Sequence, residues 1–268
     1  MALYSNTLAV LRHYLASACG DLIAGQAGVT GATTTKIYAP FLYHANDYYN
    51  NNFYEVYVYA GTNIGVTKRV TDWDLSTFLL TVHSAYSVAC DATSYIELHR
   101  IFTTDEYNKA INLAIEAIAE NYLIDKIDET TTLVADVYEY TLPSGFDFVH
   151  KVTTEDEADS GDYYDKDEID SRDWDLISPR TLKLRYGYYS ITAGKDLRIE
   201  GQGRQDTVDS DTDVIYLPPD FIVQKSITFL PQNKIQSNNL ADTYRNALVL
   251  SAREPRRWAN PRAKRVIE

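Results

Sequence analysis

The chain contains few of the residues that build disulfide scaffolds and metal sites. It has two cysteines, Cys19 and Cys90, and neither lies in a C-x-x-C pair or beside a His-x-x-x-His spacing. This pattern argues against a disulfide framework and a zinc site, so we expect two small buried or half-buried thiols in a reducing compartment. Five scattered histidines also lack a metal-ligand spacing: His13, His44, His83, His99 and His150. We therefore predict no metal and no cofactor.

Long apolar runs and an excess of basic residues are also missing. No apolar run approaches the roughly 18–20 residues of a membrane span, and residues 1–6 lack the basic start of a signal peptide. The chain has 25 Lys and Arg against 38 Asp and Glu, a net charge of −13. Nucleic acid and anionic membranes would repel such a chain, which argues against a DNA-coating role. A local basic surface remains compatible with this charge.

Common catalytic motifs are absent as well. There is no Walker A loop and no G-x-S-x-G elbow, and Gly201-Gln202-Gly203 does not continue into a dinucleotide-binding motif. We expect Gly203 to mark a turn after a strand. The run Asp209–Asp213 begins like a calcium loop, but Val214 replaces the required glycine and Asp220 stands at the twelfth position. A solvated turn is the better interpretation, and we predict that the chain is not an enzyme.

Tyrosine is abundant, with 22 Tyr beside 8 Phe and 3 Trp among the 268 residues. Tyrosine buries a large ring while its hydroxyl stays in water, so it suits both subunit interfaces and solvated sheet faces. Composition alone leaves these two interpretations open.

Helical periodicity marks the two ends and the middle of the chain. Leu8, Leu11 and Leu15 predict an amphipathic helix that begins near Ser5 or Asn6. A cap at Thr103-Thr104, followed by Asp105, Glu106 and a broad apolar face, predicts a helix over about 103–123. Pro218-Pro219-Asp220 predicts another helix start, and Ser237-Asn238-Asn239 predicts the cap of a helix that ends near Arg253.

Short β-branched and aromatic runs between the helices predict two β-rich modules. In the first module the predicted strands are Thr33–Tyr38, Tyr54–Ala60, Gly65–Thr71, Thr77–Val82 and Tyr95–Arg100. In the second they are Thr132–Leu142, Phe146–Val152, Thr181–Tyr188 and Asp196–Gly201.

These elements predict an α+β fold with a small helical bundle core of N-terminal, central and C-terminal helices. Two antiparallel β-rich modules are inserted into this core, and an extended C-terminal arm follows it. The predicted boundaries are 1–31, 103–129 and 218–253 for the helical core, 32–102 for a β-barrel or sandwich, 130–217 for the second β-rich module with its acidic loop 155–175, and 254–268 for the basic arm.

Charge is strongly polarised along the chain. Residues 155–175 hold eleven acids against Lys166 and Arg172, a net −9, whereas residues 253–268 carry +4. A charge run of the first kind is typical of a solvated loop, and a contact or repulsive surface inside an assembly is the alternative. The basic segment contains Trp258 and several arginines, the residue types that dominate interface hot spots. Pro255 and Pro261 favour an extended conformation that docks on an acidic partner.

The order of these parts resembles the head-to-tail adaptor (connector, or neck) proteins of tailed bacteriophages. The resemblance covers most of the chain through Arg69–Asp74, Thr77–Val82, Glu97–Asn112, Tyr138–Pro143 and Leu197–Gly203, and no single motif in it is diagnostic. It implies a ring, commonly of twelve copies, in the neck of the virion and assembled in the host cytoplasm. DNA would pass through an acidic lumen without specific binding, and there would be no membrane contact.

The resemblance also implies two partners, the portal protein and the next neck or tail component. The predicted portal-binding residues are Arg253, Arg256, Arg257, Trp258, Arg262, Lys264 and Arg265. Two alternatives stay open: another virion component, such as a tail terminator or fibre-attachment protein, and a soluble enzyme or ligand-binding protein whose site the motifs do not reveal.

Overall fold

The computed structural model describes residues 6–156, 161–187 and 190–267. Within these residues the helices are α1 (Leu8–Ala18), α2 (Tyr48–Asn51), α3 (Thr104–Ile118), α4 (Pro219–Ile227), α5 (Gln232–Ser237) and α6 (Ala241–Ser251). The strands are β1 (Asn6–Thr7), β2 (Ile23–Gln26), β3 (Gly28–Thr33), β4 (Lys36–Tyr38), β5 (Glu55–Ala60), β6 (Thr67–Asp74), β7 (Leu79–Val82), β8 (Tyr95–His99), β9 (Ile124–Thr132), β10 (Glu139–Thr141), β11 (Phe148–Thr154), β12 (Trp174–Ile177), β13 (Thr181–Leu184), β14 (Asp196–Gly203), β15 (Val214–Ile215) and β16 (Lys264–Arg265).

The chain divides into two compact units, and both are discontinuous in sequence. Unit 1 contains Ala117–Asp206 and Pro255–Glu268, and unit 2 contains Tyr4–Glu116 and Thr207–Glu254. Each unit has its own cluster of buried apolar side chains.

Unit 2 is built on a seven-stranded antiparallel sheet in the order β2-β8-β5-β6-β7-β4-β3. Ala27 joins β2 directly to β3, so the two ends of this order are consecutive pieces of chain. Alternating residues point inward from each strand, and the interior includes the buried side chains of Val56, Trp73, Leu80 and Ile96.

The predicted helical bundle core is wrong. In the described part of the chain, four sheets dominate the fold and helices account for 23% of it. The reason is that segments assigned to the core are strands: β2 and the start of β3 lie inside 1–31, and the first part of β9 lies inside 103–129. The helices of unit 2 accompany its sheet, with α1 packed on α4 and α4 packed on α6.

The sequence predicted the individual helices more accurately than it predicted the architecture. Helix α3 begins with the expected cap, because Thr103 Oγ1 accepts the Glu106 N–H at 3.2 Å and a Glu106 oxygen accepts the Thr103 N–H at 2.8 Å. It ends at Ile118, earlier than predicted. The cap of α1 is Thr7 rather than Asn6, while Ser5 lies outside the described residues. Helix α6 begins after Leu240, and Ser237 instead ends α5, which the sequence did not predict.

Unit 1 holds a four-stranded sheet, β16-β11-β14-β9, and a three-stranded sheet, β10-β13-β12, all antiparallel. Gly203 ends β14 instead of marking a turn after it. A Cβ on Gly203 would stand 1.8 Å from the Gly145 carbonyl oxygen, so close backbone approach explains the glycine. Apolar side chains from both sheets form one cluster, which includes Trp174, Leu182 and Ile199.

Most predicted strands are present, with shifts of a few residues at their ends. The predicted strand Thr132–Leu142 is wrong, because β9 ends at Thr132 and the next strand within the predicted range is only Glu139–Thr141. Strand β12 was missed because it begins inside the acidic segment 155–175. Glu157, Asp159 and Tyr188 lie outside the described residues.

Candidate partner-binding surface

The described part of the basic C-terminal segment folds onto unit 1 and does not extend from it as an arm. Arg257 forms a parallel β-bridge with Tyr122, and its N–H donates to the Asn121 carbonyl oxygen at 2.9 Å. Further along, β16 pairs with β11 and the side chain of Val266 is buried. Prolines 255 and 261 therefore do not keep the segment separate, because backbone pairing and burial of Val266 fix it.

Arg257 is the first of two basic residues that fasten the segment. Its Nη2 donates to Asp125 Oδ2 at 2.6 Å, and Gln202 donates to the other oxygen of Asp125 at 3.1 Å. Burial alone would raise the pKa of Asp125, but these two hydrogen bonds outweigh it and hold that pKa below its ordinary value. Gln202 also accepts the Asn260 N–H at 2.7 Å. This one buried amide therefore holds Asn260 directly and Arg257 through their shared partner Asp125.

Lys264 is the second basic residue that attaches the C-terminal segment to unit 1. Its Nζ donates to the Ser171 carbonyl oxygen at 2.7 Å and also to the Trp174 carbonyl oxygen. The ammonium lies 4.1 Å from the centroid of the Trp174 ring, a cation–π contact, and 3.7 Å from Asp175. Lys264 and Arg257 are thus used inside unit 1, and the acidic segment supplies part of the attachment.

The other predicted residues are exposed. Trp258 is 71% exposed, and the guanidinium of Arg256 lies 5.9 Å from its ring centroid. Arg262 and Arg265 also point to solvent, and none of these three arginines makes an ion pair within the described residues. Arg253 is exposed too and likewise unpaired there, but it belongs to unit 2.

Trp258 forms a ridge between two concave surfaces of unit 1. One is a groove of about 900 Å³ whose lining includes Phe146, Phe148, Arg204 and Arg265. The other has a volume of about 490 Å³, and its lining includes Ile127, which is 56% exposed. An indole between two hollows, with apolar and cationic side chains beside it, can receive a peptide segment on either side.

In the larger groove the acidic side chains are neutralised by basic neighbours, and one arginine remains unpaired among the described residues. Arg204 lies 3.9 Å from Glu120 and 3.6 Å from Asp147, and Lys126 lies 2.9 Å from Asp206. Each acid that lines the groove thus has a basic neighbour within 4 Å, whereas Arg265 has no acidic partner in the described part of the chain.

No family model matches this chain. No curated protein matches it either. What the surface around Trp258 does must therefore follow from the chemistry of its own residues.

Sequence reasoning missed the residues that position this surface, namely Asp125, Gln202 and Arg204. The sequence does contain a signal at Gln202, which stands between two glycines. Glycines in a strand mark places where another segment of backbone approaches closely, so the polar side chain between them is positioned to bind that segment. Asp125 offered no such signal, because Ile124 and Ile127 stand three residues apart, a spacing more typical of a helix, and the residues between them are charged.

A second group of charges lies in unit 2 and is buried. Arg12 donates to Glu97 Oε1 at 2.5 Å and to Asp211 Oδ1 at 2.6 Å, while Tyr57 donates to Asp211 Oδ2 at 2.7 Å. His13 lies 2.5 Å from Glu97 Oε2. Arg12 and Glu97 are fully buried, so a ligand has no access to them, and the network joins α1 to the sheet and to the 207–213 loop.

The pKa values of this network follow from its geometry. Burial alone would raise the pKa of Glu97, but hydrogen bonds from His13 and His99 and the charge of Arg12 outweigh it and lower the pKa to about 2. His99 behaves in the opposite sense: burial would lower its pKa, and its hydrogen bond to Glu97 raises the pKa overall. His13 and His99 therefore meet at one carboxylate although they are far apart in sequence.

The calcium-like run Asp209–Asp213 is held together by its own hydrogen bonds. Asp213 Oδ2 accepts the N–H groups of Asp209 and Ser210 at 3.0 and 2.9 Å, which lowers its pKa, and Asp211 serves Arg12. The calcium-like run is thus a turn whose carboxylates have internal uses. No cluster of three potential metal ligands and no membrane-length apolar helix occurs in the residues that the structure describes. Cys19 and Cys90 are free and buried, as predicted.

Proposed function

We propose that the chain is a non-enzymatic structural protein of the virion, a head-to-tail adaptor that assembles into a ring of twelve copies. In this proposal the surface around Trp258 docks on the portal protein, the ring extends the DNA channel, and its other face receives the next neck or tail component. The resemblance of the sequence to phage adaptors motivates the proposal.

One observation carries the docking part of the proposal: an exposed tryptophan stands among unpaired arginines on a segment that is fastened on both sides. Trp and Arg are the residues that most often dominate binding energy at protein interfaces. Arg257 and Lys264 fix the backbone before any partner arrives, which reduces the entropy lost on binding. Arg256, Arg262 and Arg265 then favour an acidic partner segment.

The overall charge supports the channel part. A net charge of −13 disfavours retention of DNA, while the basic groups concentrate in the C-terminal segment. A ring of such copies would carry a strongly negative field, through which DNA slides without adhering.

The first experiment is electron microscopy of the purified full-length chain. We expect rings with twelvefold symmetry. Sixfold rings would assign the chain to a tail component, and a monomer that turns over a substrate without partners would overturn the structural role.

The second experiment tests docking in infections complemented with variants. Trp258→Ala combined with Arg262→Ala is expected to yield DNA-filled heads that lack tails, while the variant protein keeps the melting temperature of the parent. Point variants are preferable to a deletion of residues 254–268, because the deletion removes the buried Val266 and the Arg257–Asp125 pair. Normal tail attachment with the double variant would contradict docking through this surface.

A further inference from the structure

The last turn of α6 is apolar on every side. Leu248, Val249 and Leu250 are consecutive, and all three side chains are exposed, that of Val249 by 72%. Ala247 and Ser251, four residues apart, are buried inside unit 2. Because successive residues of a helix point about 100° apart, the three exposed side chains cover the rest of the circumference. A helix that is apolar all round is normally buried, so we expect this turn to be covered when the protein is assembled.

Arg253 adds a positive charge just beyond this turn. It is exposed and forms no ion pair within the described residues, while its neighbour Glu254 lies 3.8 Å from Lys225. We call the apolar turn and this cation the α6 surface: Leu248, Val249, Leu250 and Arg253. Apolar contact area beside one positive charge favours a partner surface that is apolar and carries an acid.

A second exposed apolar group lies on two loops at one end of the seven-stranded sheet. Ile64, between β5 and β6, and Val88, between β7 and β8, are both exposed. Asn63 Nδ2 donates to the Val88 carbonyl oxygen at 2.8 Å. The Thr62 hydroxyl donates to Asp91 Oδ2 at 3.0 Å. These two hydrogen bonds join the loops, so Ile64 and Val88 stand on one connected support.

Asp91 supplies a negative charge on the same support. The Thr93 hydroxyl donates to Asp91 Oδ1 at 2.6 Å, and the Thr93 N–H donates to the same oxygen at 2.9 Å. These hydrogen bonds stabilise the ionised carboxylate and lower the pKa of Asp91 below its ordinary value. Asp91 forms no ion pair in the part of the chain that the structure describes. We call Ile64, Val88 and Asp91 the loop surface.

The α6 surface and the loop surface are complementary in character and separate in position. Each presents large apolar side chains beside one charge, which is positive on α6 and negative on the loops. Helix α6 packs on α4 and α4 packs on α1, whereas the loop surface lies at an end of the sheet. The apolar side chains of both surfaces are exposed, so the two surfaces do not cover each other within one copy.

We propose that the α6 surface of one copy binds the loop surface of a second copy, with Arg253 opposite Asp91 of that neighbour. Two α6 surfaces fit each other less well, because their contact would bring two Arg253 charges together. A contact between two different surfaces repeats from copy to copy and generates a ring when the rotation closes. This contact rests on the ring of the proposed function and is what holds its copies together.

The net charge of the chain is compatible with such a contact. Copies with a charge of −13 repel one another, but salt at about 0.1 M screens exposed charges that are more than about 10 Å apart. The apolar contact and the Arg253–Asp91 pair act at short range, so they are screened much less. Both surfaces are also locally free of the excess negative charge, since each contains one charged side chain.

Cross-linking through introduced cysteines tests which surfaces meet. Cys19 and Cys90 are buried, so a flexible bis-maleimide is expected to leave the parent chain without cross-links. A chain that carries both Val249→Cys and Ile64→Cys should give a ladder of dimers, trimers and larger products on a denaturing gel. Each single variant alone should give none, and a mixture of the two single variants should stop at dimers.

The outcomes separate this contact from the ring itself. Cross-linking of Val249→Cys with itself would mean that two α6 surfaces meet, and it would overturn the proposal. Twelvefold rings of the double variant that give no ladder overturn this contact and leave the proposed function standing. A parent chain that stays monomeric at every concentration overturns both.

Two point variants test the residues by light scattering after size-exclusion chromatography. Val249→Lys places a charge in the apolar contact and is expected to leave monomers with an unchanged melting temperature. The matched control is Val29→Lys on β3, where the valine is 66% exposed in the same unit, and this variant should still assemble. Arg253→Gln should weaken association about fivefold, whereas Arg245→Gln on α6 should not. Parent-like assembly of Val249→Lys, or an equal loss in Val29→Lys, overturns the proposal.

Discussion

Replacing the carboxylate of Glu97 is expected to weaken unit 2 more than any surface change. Glu97 faces three bases, with Arg12 Nε and His13 Nε2 each at 2.5 Å and His99 Nε2 at 3.4 Å. Removing one partner of a buried ion pair costs about 3–5 kcal/mol, because it leaves a buried charge uncompensated. Arg12 keeps Asp211 as a partner, so we expect Glu97→Gln to cost about 3 kcal/mol, at the lower end of this range.

Hydrogen exchange measured by mass spectrometry on peptides that cover Tyr95–His99 reports the free energy of opening around Glu97. The matched control is Glu116→Gln, an exposed glutamate of α3, which is expected to change that free energy by less than about 0.5 kcal/mol. A combined Arg12→Met and Glu97→Gln variant should lose less than the sum of the single losses, because the two residues interact directly. A loss below about 1 kcal/mol for Glu97→Gln would refute the reasoning.

Three further predictions follow from the contacts described. Because the pKa of Glu97 is lowered, the stability that its carboxylate contributes is complete above about pH 4.5 and disappears as the pH falls toward about 2. The pKa of His99 is raised, so the stability that its imidazolium contributes is lost as the pH rises through this raised pKa. Acid titration followed by circular dichroism should therefore show a smaller loss of stability at low pH in Glu97→Gln than in the parent chain. Lys264→Ala should lower the free energy of unfolding of unit 1 by about 2 kcal/mol in urea titrations, whereas Arg265→Ala should change it by less than about 0.5 kcal/mol; equal effects would contradict the division into fastening and exposed residues. Gly203→Ala should cost about 3 kcal/mol by thermal unfolding, since its Cβ would overlap a backbone oxygen, and an unchanged melting temperature would contradict that close approach.

What the sequence could predict was local. The apolar face of α3 and the alternation in β5 are repeated within a few residues, and both elements formed where their patterns stand. The cap at Thr103 and Glu106 is also a short-range signal and it was correct.

The architecture depended on pairings between distant segments, which no local pattern contains. Strand β2 pairs with β8, about seventy residues away, so a segment rich in glycine and alanine became an edge of the sheet. Strand β9 was missed because its two isoleucines stand three residues apart and charged residues surround them, a spacing and a composition that do not favour a strand. Its partner β14 supplies the hydrogen bonds that make it a strand.

The candidate surface shows the same limit. Composition singled out Trp258 and the arginines, yet it could not separate those that face solvent from the two that fasten the segment. That separation depends on Asp125 and on the carbonyl oxygen of Trp174, which are distant in sequence.

The interleaving of the two units has a consequence for biosynthesis. β1 at the start of unit 2 pairs with β15, and β11 of unit 1 pairs with β16. Each pairing joins segments that lie far apart in sequence, so the strand that is synthesised first has an open edge until its partner has left the ribosome. Because Trp258 lies between Arg257 and β16, the surface around it forms only when Arg257 has paired with Tyr122 and β16 has paired with β11.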